Sequence, residues 1–242
     1  NVNFVLSSSS LTGTGTDMLL GIERAILVGG SGDNQIDASL FTGPDIEGVL
    51  LLGGLGSDVL IGSPHVDQLN GSAGNDTLLG SGDRDTLRGG SGSDVLIGGG
   101  GNDLVVGQGG SGDVLTGGTG DDTLNGGAGI DSLIEQGDVD FTLTNSTLVG
   151  LGADLFSGLE SFQLSGGLSA NSITASAFSI SGATLLINGD DGDDVIVGSA
   201  NGDTINGGAG NDSIRSGAGN DLVNGDEGDD TLNGDAGEDR KS

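Results

Sequence analysis

Aliphatic residues recur every nine positions through the middle of this chain, and each follows an aspartate by two residues. From residue 53 the repeats are GGLGSDVLI, GSPHVDQLN, GSAGNDTLL, GSGDRDTLR and GGSGSDVLI, and the pattern continues to residue 134. The aliphatic is the middle residue of a short predicted strand, so its side chain faces inward while its neighbours face outward. Nine copies of one period predict a solenoid. The inward residues are Leu60, Leu69, Leu78, Leu87, Leu96, Val105, Leu115, Leu124 and Leu133.

The aspartates of this first array are nine residues apart, with one step of ten. If two repeats complete a turn of about 18 residues, aspartates two repeats apart lie about one strand spacing, ~4.8 Å, from each other. Such a column of carboxylates repels itself, so the pattern predicts a cation between successive turns. The aspartates are Asp58, Asp67, Asp76, Asp85, Asp94, Asp103, Asp113, Asp122 and Asp131.

A second array with the same spacing begins at Gly189. Its final repeat, GDAGEDRKS, places Lys241 where an aliphatic should point inward, so the solenoid is expected to end there. The aspartates of this array are Asp194, Asp203, Asp212, Asp221, Asp230 and Asp239, and its inward aliphatics are Ile196, Ile205, Ile214, Val223 and Leu232.

A leader of about fifty residues precedes each array, and the two leaders share residues at an offset of 137, as in Phe4 and Phe141. The chain is therefore a tandem duplication. All six phenylalanines lie in the leaders, which suits capping of an open solenoid end. We expect the leaders to form less regular rungs of the same solenoid; a separate small β domain is the alternative. The predicted segments are leader 1–52, array 53–134, leader 135–188 and array 189–242.

The composition excludes several partners. The chain has 36 acidic and 6 basic residues and a formal charge of -30, so it repels nucleic acid and anionic membranes. It also has no Trp or Tyr, which removes the usual platforms for base stacking. No apolar run approaches the ~20 residues of a membrane span. We expect neither nucleic-acid binding nor membrane insertion. Because the chain starts at Asn1 without a signal-peptide pattern, we interpret it as part of a larger protein with other domains.

The turns carry the ligands that calcium prefers. Ca²⁺ is a hard cation that takes six to eight carboxylate and carbonyl oxygens, whereas zinc needs His or Cys, and the chain has one His and no Cys. The sequence contains no HExxH motif and no G-x-S-x-G elbow. We therefore expect no enzyme active site in these residues.

The register resembles the RTX nonapeptide G-G-x-G-x-D-x-U-x, a calcium-binding repeat of secreted bacterial proteins. The two arrays that carry the resemblance make up roughly half of the chain. The resemblance implies an all-β fold, a right-handed parallel β-roll or β-solenoid with about 18 residues per turn, in two tandem copies that each have an irregular β leader or cap. It also implies that each ion lies between two stacked turns. The earlier turn gives the carbonyls of positions two and four and its Asp, and the later turn gives the carbonyls of positions one and three and its Asp.

Carried over to this chain, the resemblance implies eleven candidate calcium sites. Four and three lie on the two edges of the first array, and two lie on each edge of the second. Eleven divalent ions carry 22 positive charges against the formal -30. One site joins Gly54, Gly56 and Asp58 with Gly71, Ala73 and Asp76, and another joins Gly208, Gly210 and Asp212 with Gly225, Glu227 and Asp230. Further carbonyl donors implied in this way are Gly74, Gly89, Ser91, Gly99, Gly101, Gly117, Thr119, Gly192, Gly207, Ala209, Gly217 and Gly219.

Four turns depart from the pattern, which puts their sites in question. GSPHVD at 62–67 lacks glycine at positions two and four, and GSGDRD at 80–85 and GSANGD at 198–203 lack the fourth glycine. GQGGSGD at 107–113 has one residue too many, which affects the two sites that involve Asp113.

One outward face of the first array is more apolar than the other. A contiguous apolar patch is typical of a contact surface, so we expect this face to pack on a leader, on the second array or on another molecule, including a second copy. The alternative is ordinary exposed strand residues. The face contains Val59, Ile61, Leu79, Val95 and Ile97.

These patterns favour a calcium-binding structural module of a secreted or cell-surface bacterial protein. Ion binding would supply folding free energy that a thin core cannot, so the module would fold on meeting extracellular calcium and serve as a stalk, spacer or secretion-coupled folding element. One alternative is an accessory polysaccharide- or surface-binding module of an extracellular enzyme or adhesin. Another is an ice-binding face, but its regular Thr or Asx ladder is absent from the mixed outward columns.

Overall fold

The computed structural model describes residues 3–13 and 16–242, and all regular secondary structure in these residues is β-strand. Residues 1, 2, 14 and 15 of the predicted first leader lie outside this description. The chain divides into two compact units, Asn1–Asp131 and Ser132–Ser242. No helix capable of crossing a membrane occurs in the described part.

The first unit contributes strands to two mainly parallel sheets. One sheet has the order β13-β11-β9-β7-β5-β1-β2-β3, and the other has the order β14-β12-β10-β8-β6-β4. The strands are β1 Phe4–Ser7, β2 Ser10–Thr12, β3 Thr16–Met18, β4 Arg24–Gly30, β5 Gln35–Leu40, β6 Gly48–Leu55, β7 Val59–Ile61, β8 Gln68–Ala73, β9 Thr77–Ser81, β10 Thr86–Gly92, β11 Val95–Gly100, β12 Leu104–Gly110, β13 Val114–Thr119 and β14 Thr123–Ala128.

The second unit repeats this plan. One group of strands has the order β27-β25-β23-β21-β19-β15, and the other has the order β26-β24-β22-β20-β16-β17-β18. The strands are β15 Ser132–Gln136, β16 Phe141–Thr144, β17 Thr147–Val149, β18 Ala153–Ser157, β19 Ser161–Gly167, β20 Ser172–Ala177, β21 Thr184–Asp191, β22 Val195–Val197, β23 Asp203–Ala209, β24 Ser213–Arg215, β25 Leu222–Glu227, β26 Thr231–Asn233 and β27 Arg240–Lys241.

The strand register follows the nine-residue period of the sequence. In the first array Leu87 pairs in parallel with Leu69 on one side and with Val105 on the other, and each partner lies two repeats away along the chain. The repeat that contains the turn 107–113 has one extra residue, so the separation between paired strands increases by one, as in the pairing of Val105 with Leu124. The predicted parallel β-roll with two repeats per turn is confirmed.

Each strand of an array contributes one aliphatic side chain to the core. Inward residues from Leu60 to Leu124 are at most 1% exposed, and Ile196, Ile205, Ile214 and Val223 are 0% exposed. Lys241 pairs with Val223 in the β25–β27 register and is exposed. A lysine therefore takes the place of the inward aliphatic in this rung.

The leader strands are rungs of the same sheets as the arrays. Ile36 pairs in parallel with Leu60, and Ile173 pairs with Ile196, so the chain between stacked strands is longer here than in the arrays. These longer rungs enclose larger side chains. In the second unit the Phe162 ring lies 5.1 Å from that of Phe156 and 4.8 Å from that of Phe178.

The apolar outward face of the first array is partly accessible. Val95 is 37% exposed, and Val59, Ile61, Leu79 and Ile97 are half-buried. The expectation that this face contacts another surface stays a prediction.

With one inward side chain from each strand, the core makes the inward aliphatics the main apolar contribution to stability. We expect Leu96→Ala to lower the free energy of unfolding by about 2–5 kcal/mol, because the cavity cannot be filled by a second core residue. Val95→Ala, on the outward side of β11, should cost about 0.5 kcal/mol. Denaturant unfolding at a fixed calcium concentration measures both losses. Equal losses would show that the inward column does not determine stability.

Candidate metal centres

The repeat aspartates form hydrogen-bonded ladders along the edges of the turns. The backbone N–H of Asp58 donates to Asp76 Oδ1 at 2.8 Å, and that of Asp76 donates to Asp94 Oδ1 at 2.8 Å. On the other edge, Asp67 N–H donates to Asp85 Oδ1 at 2.7 Å. The same bond continues through both arrays at 2.7–3.2 Å and connects the pairs Asp85–Asp103, Asp94–Asp113, Asp103–Asp122, Asp113–Asp131, Asp194–Asp212, Asp203–Asp221, Asp212–Asp230 and Asp221–Asp239.

The second carboxylate oxygen of most repeats faces a space that only glycine leaves open. A methyl group built at Gly71 would lie 2.7 Å from the Gly89 carbonyl oxygen and would overlap Asp76 Oδ2. The equivalent glycine of the second array, Gly207, faces Asp212 Oδ2 and the Gly225 carbonyl oxygen in the same way. Two acceptor oxygens from successive turns therefore converge at the first position of the repeat.

These Oδ2 atoms are buried without a hydrogen-bond partner. A buried carboxylate oxygen that lacks a partner is costly, and a divalent cation between the turns would remove that cost. Within the described residues, this holds for Asp58, Asp76, Asp85, Asp94, Asp103, Asp113, Asp194, Asp212 and Asp221.

The remaining ligands have to come from the backbone. The described residues contain no group of three or more His, Cys, Asp or Glu side chains that could hold a metal, whereas the predicted sites combine two aspartates with several carbonyls. Such an all-oxygen set fits Ca²⁺.

The turns that contain the predicted carbonyl donors stack directly on one another. The position-four amide of one turn donates to the position-three carbonyl of the next, as in Gly56 to Ala73 at 2.9 Å and Gly210 to Glu227 at 2.8 Å. The carbonyls of Ser91, Thr119 and Ala209 accept the same bond. Glycines at positions two and four have φ between 99° and 145°, a left-handed region that favours glycine; they are Gly54, Gly56, Gly74, Gly99, Gly101, Gly192, Gly208, Gly210, Gly217 and Gly219. The assignment of individual carbonyl ligands stays a prediction.

In two of the irregular turns, a serine donates hydrogen bonds to the aspartate of the same turn. Ser63 donates to Asp67 through its backbone N–H at 2.5 Å and through its hydroxyl at 2.9 and 3.1 Å. Ser199 donates to Asp203 through its N–H at 2.6 Å and its hydroxyl at 2.8 Å. We call 62–67 and 198–203 the serine-capped turns. They occupy equivalent places in the two copies.

The other two irregular turns keep the ladder geometry. The extra residue of 107–113 is accommodated just before Asp113, because Gly110 still pairs with Gly92 and Asp113 Oδ1 still accepts the Asp94 N–H at 2.9 Å. In 80–85, Ser81 has a φ of 95°, and Asp85 Oδ2 stays unpaired.

Sequence reasoning missed Ser216, the first residue of the turn before Asp221. Its buried hydroxyl donates to the Gly234 carbonyl oxygen at 3.0 Å. That carbonyl is the position-one oxygen of the following turn, so this site has one lone pair fewer for a metal. A serine in place of the first glycine was the available signal.

Burial makes the ionised ladders unfavourable without a cation. Desolvation, together with the charge of neighbouring aspartates, raises the pKa of Asp85 to about 8 and the pKa values of Asp103, Asp113 and Asp194 to about 6. Backbone hydrogen bonds oppose the shift. Desolvation also raises the pKa values of Asp67 and Asp203 to about 6. It raises the pKa values of Asp58, Asp76, Asp94, Asp122 and Asp212 above the ordinary value of an aspartate as well.

Comparison with known protein families matches both arrays. The model described as RTX calcium-binding nonapeptide repeat (4 copies) matches residues 50–78, 79–113, 112–133, 188–223 and 207–240, which together are more than half of the chain. No match to a curated protein was found.

The raised pKa values predict that protonation of the ladder aspartates stabilises the metal-free fold. A folded-state pKa above the unfolded value means that the folded protein binds protons more tightly, so the stabilisation is complete below pH ~4 and is lost as the pH rises through 6 and 8. We expect the melting temperature of metal-free protein to fall between pH 4.5 and pH 8. Circular dichroism melts of chelated and dialysed protein measure this. A melting temperature that rises with pH over this range would contradict it.

The hydrogen bonds from Ser63 and Ser199 predict that removing either hydroxyl lowers the stability of the protein. We expect Ser63→Ala to lower the free energy of unfolding by about 1–3 kcal/mol, because it leaves a buried carboxylate with fewer donors. Ser199→Ala should behave in the same way. The control is Ser81→Ala, a position-two serine in a turn whose aspartate keeps an unpaired Oδ2, and it should cost about 0.5 kcal/mol. Urea unfolding at saturating calcium compares the three, and an equal cost for Ser63→Ala and Ser81→Ala would reject the capping role.

Proposed function

Because the chain belongs to the RTX calcium-binding nonapeptide repeat family, we propose that calcium binding between its stacked turns drives the folding of a structural module. The observation that carries this proposal is the pair of buried aspartate ladders. One oxygen of each carboxylate fixes the neighbouring turn, and the other has no protein partner in most repeats.

Nine of the eleven candidate sites have an open carboxylate in their earlier turn. The two exceptions are the Asp67–Asp85 and Asp203–Asp221 sites, whose earlier turns are serine-capped. We propose that these two bind calcium more weakly than the rest. Nine divalent ions would carry 18 positive charges against the formal charge of -30.

The proposed role couples folding to calcium supply. RTX repeats occur in secreted bacterial proteins, and extracellular calcium modules bind at ~10⁻⁴–10⁻³ M. We propose that this chain is secreted or surface-exposed, stays unfolded where calcium is scarce and folds outside the cell as a stalk, spacer or secretion-coupled element. Binding free energy then becomes folding free energy. In this proposal the leader segments cap the arrays, and the module performs no catalysis of its own.

A contact role for the apolar face is a second candidate. Val95 is 37% exposed beside half-buried Ile61, Leu79 and Ile97, and such a continuous column fits association with another copy or with a surface. Sedimentation of the calcium-loaded protein measures self-association.

The main proposal predicts calcium-dependent β-structure. At pH 7.5 the metal-free chain should lack most of its β-sheet circular dichroism signal and gain it on titration to ~1 mM Ca²⁺. Asp94→Asn should remove up to two ions from the stoichiometry measured by equilibrium dialysis, because Asp94 belongs to two candidate sites. Asp229→Asn removes the same charge from an exposed position and should leave the ion count unchanged. A full β-sheet signal in excess chelator would refute calcium-driven folding.

A further inference from the structure

The leader turn 166–171 stacks on the first turn of the second array. This turn, GGLSAN, precedes the matched segments of that array. Gly167 pairs with Asp190 in the β19–β21 register, and the Asn171 backbone N–H donates to Asp194 Oδ1 at 2.7 Å. This is the bond that joins successive aspartates in the arrays, so Asn171 occupies the place of a repeat aspartate.

The Asn171 side chain points into the same kind of space as the repeat carboxylates. The residue is 6% exposed, and its Oδ1 is buried without a hydrogen-bond partner. A methyl group built at Gly166 would lie 2.6 Å from Asn171 Oδ1 and 2.5 Å from the Gly189 carbonyl oxygen. Two acceptors therefore converge where the missing Cβ leaves room, as they do at Gly71 in the first array.

The turn is held in place by contacts on its other side. Asp138 accepts hydrogen bonds from the Ser169 N–H at 3.0 Å and from the Ser169 hydroxyl at 3.0 Å. The Asn171 carbonyl accepts the Val195 N–H at 2.9 Å. These bonds fix both ends of the segment that presents Asn171, so the acceptor pair is positioned before any ligand arrives.

We propose that Asn171 Oδ1, the Gly189 carbonyl oxygen and the Asp194 carboxylate bind an additional Ca²⁺ at the junction of the second leader and its array. This site rests on the calcium-binding function proposed above. Amide oxygens are ordinary calcium ligands, and affinity follows the number of charged ligands. With one carboxylate fewer than a repeat site, the junction site should fill last.

Anomalous diffraction from crystals of the full chain soaked in Tb³⁺ tests the site directly. The expected result is a peak between Asn171 and Gly189 in addition to peaks between the array turns. A water at this position, or a carboxamide turned with its nitrogen towards the Gly189 carbonyl, would overturn the inference while filled array sites keep the main proposal intact. Empty arrays would overturn both.

Substitution of Asn171 gives an independent solution test. Asn171→Asp supplies the missing charge and should tighten the weakest calcium-binding step in calorimetry by about tenfold. Asn145→Asp adds the same charge at an exposed leader position and should leave that step unchanged. Equal effects of the two substitutions, or none from Asn171→Asp, would overturn the proposal.

Discussion

The structure depends on the different roles of the two carboxylate oxygens of each repeat aspartate. One oxygen accepts the backbone N–H of the turn before it, which fixes the distance between turns. The other oxygen is buried beside a carbonyl of the next turn. In most repeats this second oxygen has no hydrogen-bond partner in the protein. A cation that joined these oxygens would offset the cost of burying their charge. The pattern of glycines follows from it, since a side chain at position one of the repeat would occupy the space between these oxygens.

Because the interior of each array is narrow, the charge of the buried aspartates weighs heavily in the stability of the fold. Each turn of an array buries two aliphatic side chains, which supply far less apolar area per residue than a globular core. The leaders compensate with wider rungs and packed rings such as Phe162 and Phe178. The antiparallel hairpins β1–β3 and β16–β18 recur in both units, so the duplication preserves the leader as well as the array.

Periodicity predicted the parts of the structure that depend on spacing alone. The inward column from Leu60 to Leu124, the two-repeat turn and the positions of the ladder aspartates all follow from a strand period of two and a repeat of nine. The sequence did not reveal the serine caps, because Ser63 and Ser81 occupy the same repeat position and differ in backbone conformation. Nor did it show that Asp113 keeps its place, since an extra residue can be accommodated at several points of a turn. Asn171 was overlooked because its step to the next ladder residue is longer than two repeats.

The serine-capped turns give each array one turn near its leader whose aspartate accepts protein donors on both carboxylate oxygens. Asp67 and Asp203 lie in the second repeat after their leaders, and each accepts hydrogen bonds from the serine of its own turn. A rung of this kind can order before any ion is present and offers a template on which later rungs are laid down. If calcium drives folding as proposed, the β-roll would grow from the leader outward as ions arrive.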